Sequence, residues 1–151
     1  MGAVYFYHMT RTPLEATLPV LLEKSLKAGW RVAVRGPDRA QLEHLDELLW
    51  LRPEEGFLPH GLDGGAHDAR QPVLLGTEPA LADRQALICV GGSAPAPAEV
   101  AELERASILF DGNNAAAVDT ARDQWRSLTG AGCSAQYWSQ ESGAWEKKAE
   151  A

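Results

Sequence analysis

Short apolar runs alternate along the chain with segments whose leucines recur at helical spacing. The runs are rich in β-branched and aromatic residues, and the central ones are apolar throughout instead of alternating with polar residues. Continuous apolar strands are typical of a parallel sheet that is buried on both faces. We therefore predict an α/β domain with a mostly parallel sheet and helices on both faces. The predicted strands cover 3–8, 31–35, 73–75, 86–90, 107–110 and 134–141.

Capping signals and apolar spacing predict four helices between these strands. Thr12 is a candidate cap for the first helix, and Pro13 suits its first position. Pro19 interrupts the pattern, so this helix is either kinked there or begins at Leu18. The second helix is predicted to begin at the cap Asp38 and to be terminated by residues 52–53. The other two helices are predicted at 98–105 and 115–129.

The second helix ends in an aromatic residue and is followed by another. Trp50 precedes the stop formed by Arg52 and Pro53, and Phe57 begins a short extended piece. Large aromatics where a chain leaves an element are either contact residues for a partner or parts of the internal packing. The segment 61–71 that follows is predicted to be a surface loop.

The totals fit one domain over residues 1–145, with a charged tail at 146–151. The net charge of −7 excludes a broad nucleic-acid surface, because phosphate neutralisation needs an excess of Lys and Arg. Cys89 and Cys133 match no metal spacing and are expected to be reduced thiols. We expect no signal peptide, and no apolar run approaches the roughly 18 residues of a membrane span. We expect a cytoplasmic protein.

Evidence for catalysis in the sequence is weak. The loops after Val90 and Phe110 follow strong strands and leave open a nucleotide- or phosphate-binding α/β enzyme, yet neither contains a phosphate-binding fingerprint. Ser93 and Cys133 lie in no nucleophile signature. His60 and His67 flank a loop without metal-ligand spacing. We predict no enzyme activity, no metal and no cofactor.

The last helix carries the most specific surface pattern. Arg122 and Arg126 are four residues apart and border an apolar stripe beside Trp125. Two guanidinium groups next to an aromatic rim can hold a carboxylate and an apolar side chain together, as presented by a peptide C-terminus. The alternative is local pairing of the arginines with Asp119 and Asp123.

Several segments together resemble one known family over nearly the whole chain and in the same order. The most specific is the stretch from the tryptophan to the Pro-His pair, and the others are weak alone. The chain thus resembles the chi subunit of bacterial DNA polymerase III. The matching segments are Phe6-Tyr7, Gly29-Trp30-Arg31-Val32, Leu45-Asp46 with Leu49-Trp50, Phe57-Leu58-Pro59-His60-Gly61, and Ala121-Arg122 with Trp125-Arg126.

The resemblance implies a non-catalytic accessory subunit of the clamp-loader assembly, with a single-domain Rossmann-like three-layer fold that lacks a nucleotide site. Such a subunit links the replicase to single-stranded DNA-binding protein by holding the acidic C-terminal tail of that protein, which ends in Phe. By position, Arg122 and Arg126 match basic family residues and Trp125 matches an aromatic one. The family can have a basic residue four positions before Arg122, where this chain has Val118.

The resemblance also implies a second partner surface. Trp50, Arg52, Pro53 and Phe57 are similar in position to the family surface that docks the psi subunit or a helicase. Direct sequence-specific binding of nucleic acid is not expected, and neither is binding to a membrane.

Overall fold

The computed structural model describes residues 2–50, 60–65 and 68–151 of the chain. Within these ranges, no helix is long and apolar enough to cross a membrane. The helices are α1 (Leu14–Lys27), α2 (Arg39–Trp50), α3 (Pro97–Glu102) and α4 (Ala115–Gly130), and a 3₁₀ turn covers Asp68–Arg70. The strands are β1 (Ala3–Met9), β2 (Val32–Arg35), β3 (His60–Leu62), β4 (Val73–Gly76), β5 (Ala86–Cys89), β6 (Arg105–Asp111), β7 (Ser134–Ser139) and β8 (Glu146–Glu150).

All eight strands form one sheet in the order β3-β4-β2-β5-β6-β1-β7-β8. Every neighbouring pair is parallel except the last, in which β8 runs antiparallel to β7. The predicted α/β fold, a single domain with a mostly parallel sheet and helices on both faces, is confirmed.

The sheet separates two hydrophobic cores. Successive side chains of a strand point to opposite faces, so Val32 and Val34 join the core under α1 and α2, whereas Ala33 joins the core under α3 and α4. All three are fully buried, which explains why the β2 run is apolar without alternation. In β1 the same rule sends Phe6 towards α4 and Tyr7 towards α1.

The first helix begins before Leu18, which was one of the two predicted possibilities. It starts at Leu14 and continues through Pro19, so a start at Leu18 is wrong. The predicted cap is wrong too, because Pro13 occupies the N-cap position and no side chain caps the helix. The Thr12 hydroxyl lies instead 2.7 Å from the hydroxyl of Thr17.

Two short strands lie where the sequence predicts irregular structure. β3 includes Gly61 and Leu62 at the start of the predicted surface loop. β8 occupies Glu146–Glu150, where the sequence predicts a charged tail, and all five of its residues are exposed. Its pairing with β7 rests on the backbone, so it has no apolar alternation that sequence analysis could recognise.

Candidate partner-binding sites

Helix α4 packs against β6 and β7 and carries both candidate arginines. Asn114 caps it, since the Asn114 side-chain oxygen accepts a hydrogen bond from the Ala117 amide at 3.1 Å. Ala121 and Leu128 are buried against the sheet. Helical geometry therefore turns Arg122 and the residue four positions later, Arg126, to the solvent, and both are exposed.

Trp125 is anchored by two other aromatic rings. Its ring meets Phe6 edge-on, with centroids 5.4 Å apart, and Tyr137 in the same manner at 6.1 Å. The side chain is half-buried, so part of the indole reaches the surface. Trp125 and Tyr137 together form an apolar shelf beside Arg122.

The two arginines differ in their partners. Arg126 forms an exposed ion pair with Asp123 at 3.4 Å, the contact that the local-pairing alternative predicts. Arg122 has no carboxylate partner within the ranges that the structure describes, although Asp119 lies three residues before it. Its positive charge acts instead on Tyr137: burial raises the pKa of that phenol, and Arg122 opposes the increase.

Sequence reasoning missed the support of this shelf by His8. The Tyr137 hydroxyl lies 2.8 Å from His8 Nδ1, and His8 Nε2 lies 3.3 Å from the Gly112 carbonyl oxygen. A carbonyl only accepts, so in the neutral ring Nε2 donates to Gly112 and Nδ1 accepts from the phenol. The ring also stacks on Phe110 with centroids 5.1 Å apart. His8 and Tyr137 each lie in a predicted strand, but no signal in the sequence indicated that these two strands are neighbours.

The second candidate site lies at the C-terminal end of α2. Trp50 is 52% exposed, and its ring centroid lies 4.2 Å from that of His60, which is buried. His60 Nε2 lies 3.0 Å from the backbone oxygen of Asp46 and 3.3 Å from its carboxylate, which fixes the imidazole under the indole. Trp50 is thus positioned by the fold but remains accessible. The other predicted docking residues, Arg52, Pro53 and Phe57, lie outside the described residues.

The two candidate sites are well separated. Helix α2 packs against β3 and β4, and α4 packs against β6 and β7 on the opposite face of the sheet. Five strand spacings separate β4 from β7. At about 4.8 Å per spacing, this distance is roughly 24 Å. Two partners can therefore bind without sharing contact residues.

The two loops that the sequence suggested for phosphate binding meet in one cleft of about 680 Å³. The cleft lies at the carboxyl ends of β1 and β6, the usual ligand position in such sheets. However, the amide of Asn113 already donates to the Asp111 carboxylate, and Asn114 caps the helix. Asp111 and Glu15 also place carboxylates on the cleft wall. These contacts disfavour a phosphate and favour a structural role for the loops.

The described residues also contain no group of three or more His, Cys, Asp or Glu side chains that could hold a metal ion. Ser93, one of the two nucleophiles considered, donates its hydroxyl hydrogen bond to the backbone oxygens of Arg35 and Val90 at 2.9 and 2.8 Å. This hydroxyl therefore stabilises the turn after β5.

The fold and these two sites define an α/β domain with separate candidate surfaces for partners. Residues 1–136 match the family model described as DNA polymerase III chi subunit, HolC. The chain is 37% identical to the DNA polymerase III subunit chi of Pseudomonas aeruginosa over 99 residues, which cover 63% of this chain and 68% of that protein. It is 43% identical to the subunit of the same name from Escherichia coli K12 over 47 residues, or 31% of this chain and 32% of that protein.

The chain therefore belongs to the DNA polymerase III chi subunit family, and the resemblance predicted from the sequence is confirmed. Family membership assigns it an accessory role in DNA replication.

Proposed function

We propose that the chain is a non-catalytic adaptor of the clamp-loader assembly that binds the acidic C-terminal tail of single-stranded DNA-binding protein. The observation that carries this proposal is the position of Arg122. It is an exposed guanidinium without a carboxylate partner in the described part of the chain, and it lies beside the shelf of Trp125 and Tyr137.

The chemistry of this surface matches a C-terminal phenylalanine. The terminal carboxylate binds the fork of Arg122 through two parallel N–H donors, and the phenyl ring packs on the shelf. Arg126 acts as a second, weaker attractor, because its exposed pair with Asp123 is worth little and exchanges easily. Since the chain carries a net charge of −7, attraction for an acidic tail is local and falls as salt rises.

Fluorescence anisotropy with a labelled acidic peptide ending in Phe tests the proposal directly. We expect a dissociation constant on the order of micromolar at low salt, because the contact is small and charged. Arg122→Ala should weaken binding by about 10- to 100-fold, the range for losing hydrogen bonds to a charged group. Arg126→Ala should weaken it less.

Two controls make this result specific. Arg70→Ala removes an exposed arginine of the 3₁₀ turn and should leave the affinity unchanged. The same peptide with an amidated C-terminus should bind the unaltered protein poorly, because the carboxylate is gone. Absence of binding by the unaltered protein at low salt, or equal loss in the Arg122 and Arg70 variants, would refute the tail site.

We further propose that Trp50, with Arg52, Pro53 and Phe57, docks a psi-like clamp-loader subunit or a helicase. Support comes from the 52% exposure of Trp50, which internal packing alone does not require. A purified psi-like subunit or helicase should be retained by the unaltered protein and lost with Trp50→Ala. Retention by Arg122→Ala would show that this surface acts independently of the tail site.

A further inference from the structure

A groove runs along the sheet face opposite α4, between α1 and the hairpin formed by β7 and β8. The connection from β6 to β7 places α4 on the other face, and β7 continues directly into β8 without a helix. Among the described elements, no helix therefore covers this part of the sheet. The resulting cavity of about 590 Å³ is called the β1–β7 groove, and it is defined by Tyr5, Tyr7, Trp30, Arg105, Trp138 and Trp145.

Aromatic rings form the walls of the groove. Three of the five tryptophans of the chain line it, and each is half-buried. Trp145 meets the ring of Tyr7 edge-on, with centroids 5.3 Å apart and an interplanar angle of 87°. These rings are partly open to a cavity, unlike the fully buried Phe6 on the opposite side of β1. Partly open aromatic walls of this kind suit a flat apolar ligand.

The groove is positively charged although the chain is acidic. Among the residues that the structure describes, the charged ones that line the groove are Arg105 and Lys24, and none is Asp or Glu. Neither cation has a carboxylate partner in the described ranges. The Arg105 guanidinium carbon lies 4.1 Å from the ring centroid of Tyr5 and 5.2 Å from that of Trp30. Two rings therefore hold this charge in place inside the groove.

A serine hydroxyl adds a polar contact beside the cation. Ser107 pairs with Tyr5 in neighbouring strands and lines the groove. Its hydroxyl makes no hydrogen bond to another described residue, and it is not one of the buried side-chain atoms that lack a partner. The hydroxyl is therefore open to the groove, where a ligand atom can accept or donate a hydrogen bond.

We propose that the β1–β7 groove binds a nucleotide, with its base against the tryptophans and its phosphate on Arg105 and Lys24. Bases stack on aromatic side chains irrespective of sequence, and fixed cations beside them bind the backbone phosphate. The volume lies in the range of small-ligand sites, roughly 300–1,000 Å³. Free nucleotides and single-stranded nucleic acid share this chemistry. The groove lies on the sheet face opposite Arg122, so the inference stands apart from the tail site.

The five indole N–H signals of the tryptophans in an NMR titration provide a site-specific readout. Thymidine monophosphate should shift the signals of Trp30, Trp138 and Trp145 saturably. Trp50 and Trp125 lie outside the groove and should not respond. Thymidine should bind at least about tenfold more weakly than its monophosphate, because the charge-assisted contacts are lost. A short oligothymidylate that binds more tightly than the mononucleotide identifies single strands as the source, and equal affinity identifies the free nucleotide.

Variants connect the binding to the cations. Lys24→Ala and Arg105→Gln should each weaken nucleotide binding by about tenfold or more. Lys27→Ala changes an exposed lysine of the same helix outside the groove and serves as the matched control. Lys24 is itself exposed, so its variant tests the proposal even if Arg105→Gln impairs folding.

The proposal is overturned if the three indole signals do not respond to millimolar nucleotide or oligonucleotide. It is also overturned if thymidine and its monophosphate bind equally, or if Lys24→Ala has no effect. An acidic peptide that shifts these three signals when nucleotides do not would identify a protein partner instead. A negative nucleotide result with normal tail binding at Arg122 would leave the proposed function intact.

Discussion

The phenolic oxygen of Tyr137 lies 2.8 Å from Nδ1 of His8, although 129 positions separate the two residues in the chain. The contact joins β7 to β1 on the face covered by α4 and holds the phenol beside Arg122. A residue near the N-terminus thereby orients a ring of the proposed tail site, and this contact gives the first prediction.

Gly112→Ala should destabilise the protein through His8. A Cβ atom at position 112 would lie 1.8 Å from His8 Cδ2, so the imidazole must move and release Tyr137. We expect the free energy of unfolding to fall by about 1–3 kcal/mol, the usual cost of overpacking. Urea unfolding measures this change, and the affinity for the tail peptide should fall as well.

Gly130→Ala is the matched control for this substitution. A Cβ atom there meets nothing within 4 Å, and the residue lies at the end of α4. The variant should be unchanged or more stable by up to about 1 kcal/mol, since alanine restricts the unfolded chain. Equal destabilisation of both glycine variants would argue against the role assigned to His8.

Val118→Lys should strengthen binding of the tail peptide. Val118 lies one helical turn before Arg122, so a lysine there adds positive charge to the same face of α4. We expect an affinity gain of a few-fold at low salt that disappears as the ionic strength rises. Anisotropy titrations at several salt concentrations check this, and Val118→Met controls for the added side-chain length. A gain that is independent of salt would contradict the electrostatic explanation.

Trp50→Ala should separate partner docking from stability. The side chain is 52% exposed, so its removal should cost less than the roughly 3–5 kcal/mol of a core tryptophan. Binding to the psi-like subunit or helicase should be lost, as judged by co-purification with the purified partner. Val20→Ala changes another exposed apolar residue, 48% accessible on α1, and should leave this binding intact. If Trp50→Ala and Val20→Ala lost partner binding to the same extent, the effect of Trp50→Ala would be non-specific.

Glu99→Gln should reduce the acid dependence of stability. Hydrogen bonds from Arg35 at 2.8 and 2.7 Å lower the pKa of the Glu99 carboxyl below its ordinary value. Because the folded-state pKa is depressed, the stabilisation is present above the unfolded pKa of about 4.3 and is lost as pH falls through the folded value. At neutral pH, the free energy of unfolding of the variant should be about 1 kcal/mol lower than that of the unaltered protein. As the pH falls, the free energy of unfolding of the variant should decrease less steeply.

Denaturant unfolding between neutral pH and about pH 3 measures this effect over the relevant titration range. Glu102→Gln, on the exposed side of the same helix, is the control and should follow the unaltered protein at every pH. If the Glu99 variant lost stability in acid as steeply as the unaltered protein, the ion pair between Arg35 and Glu99 would contribute nothing to folding.

The two cysteines should differ sharply in reactivity. Cys89 is fully buried, and burial raises the pKa of its thiol to about 12. At pH 8 only roughly one such thiol in 10⁴ is ionised, whereas Cys133 is partly exposed. Iodoacetamide should therefore modify one thiol in the native protein and the second only after unfolding. Rapid native labelling of a Cys133→Ser variant would contradict the burial of Cys89.

The apolar pattern alone predicts most of the fold. A strand such as β2 is apolar throughout because both faces of the sheet are covered, and this pattern is visible without coordinates. β8 was beyond prediction because its five residues are exposed and charged or small, and its position in the sheet comes from backbone pairing with β7 and one side-chain hydrogen bond, from Gln136 to Glu150. The same hairpin leaves the β1–β7 groove open, so the groove also follows from topology and not from a local motif.

The candidate tail site was likewise predictable from the sequence only in part. The sequence by itself determined that Arg122 and Arg126 share one face of a helix beside Trp125, because helical periodicity fixes that relationship. It left undecided which arginine is paired, since Asp119 and Asp123 stand at equivalent spacings. In the structure Arg126 pairs with Asp123, and Arg122 lies close enough to Tyr137 to act on its phenol. Only tertiary structure brings Tyr137 to Arg122 and His8 to Tyr137. Residues from distant strands meet only when the sheet forms, and no local pattern records that meeting.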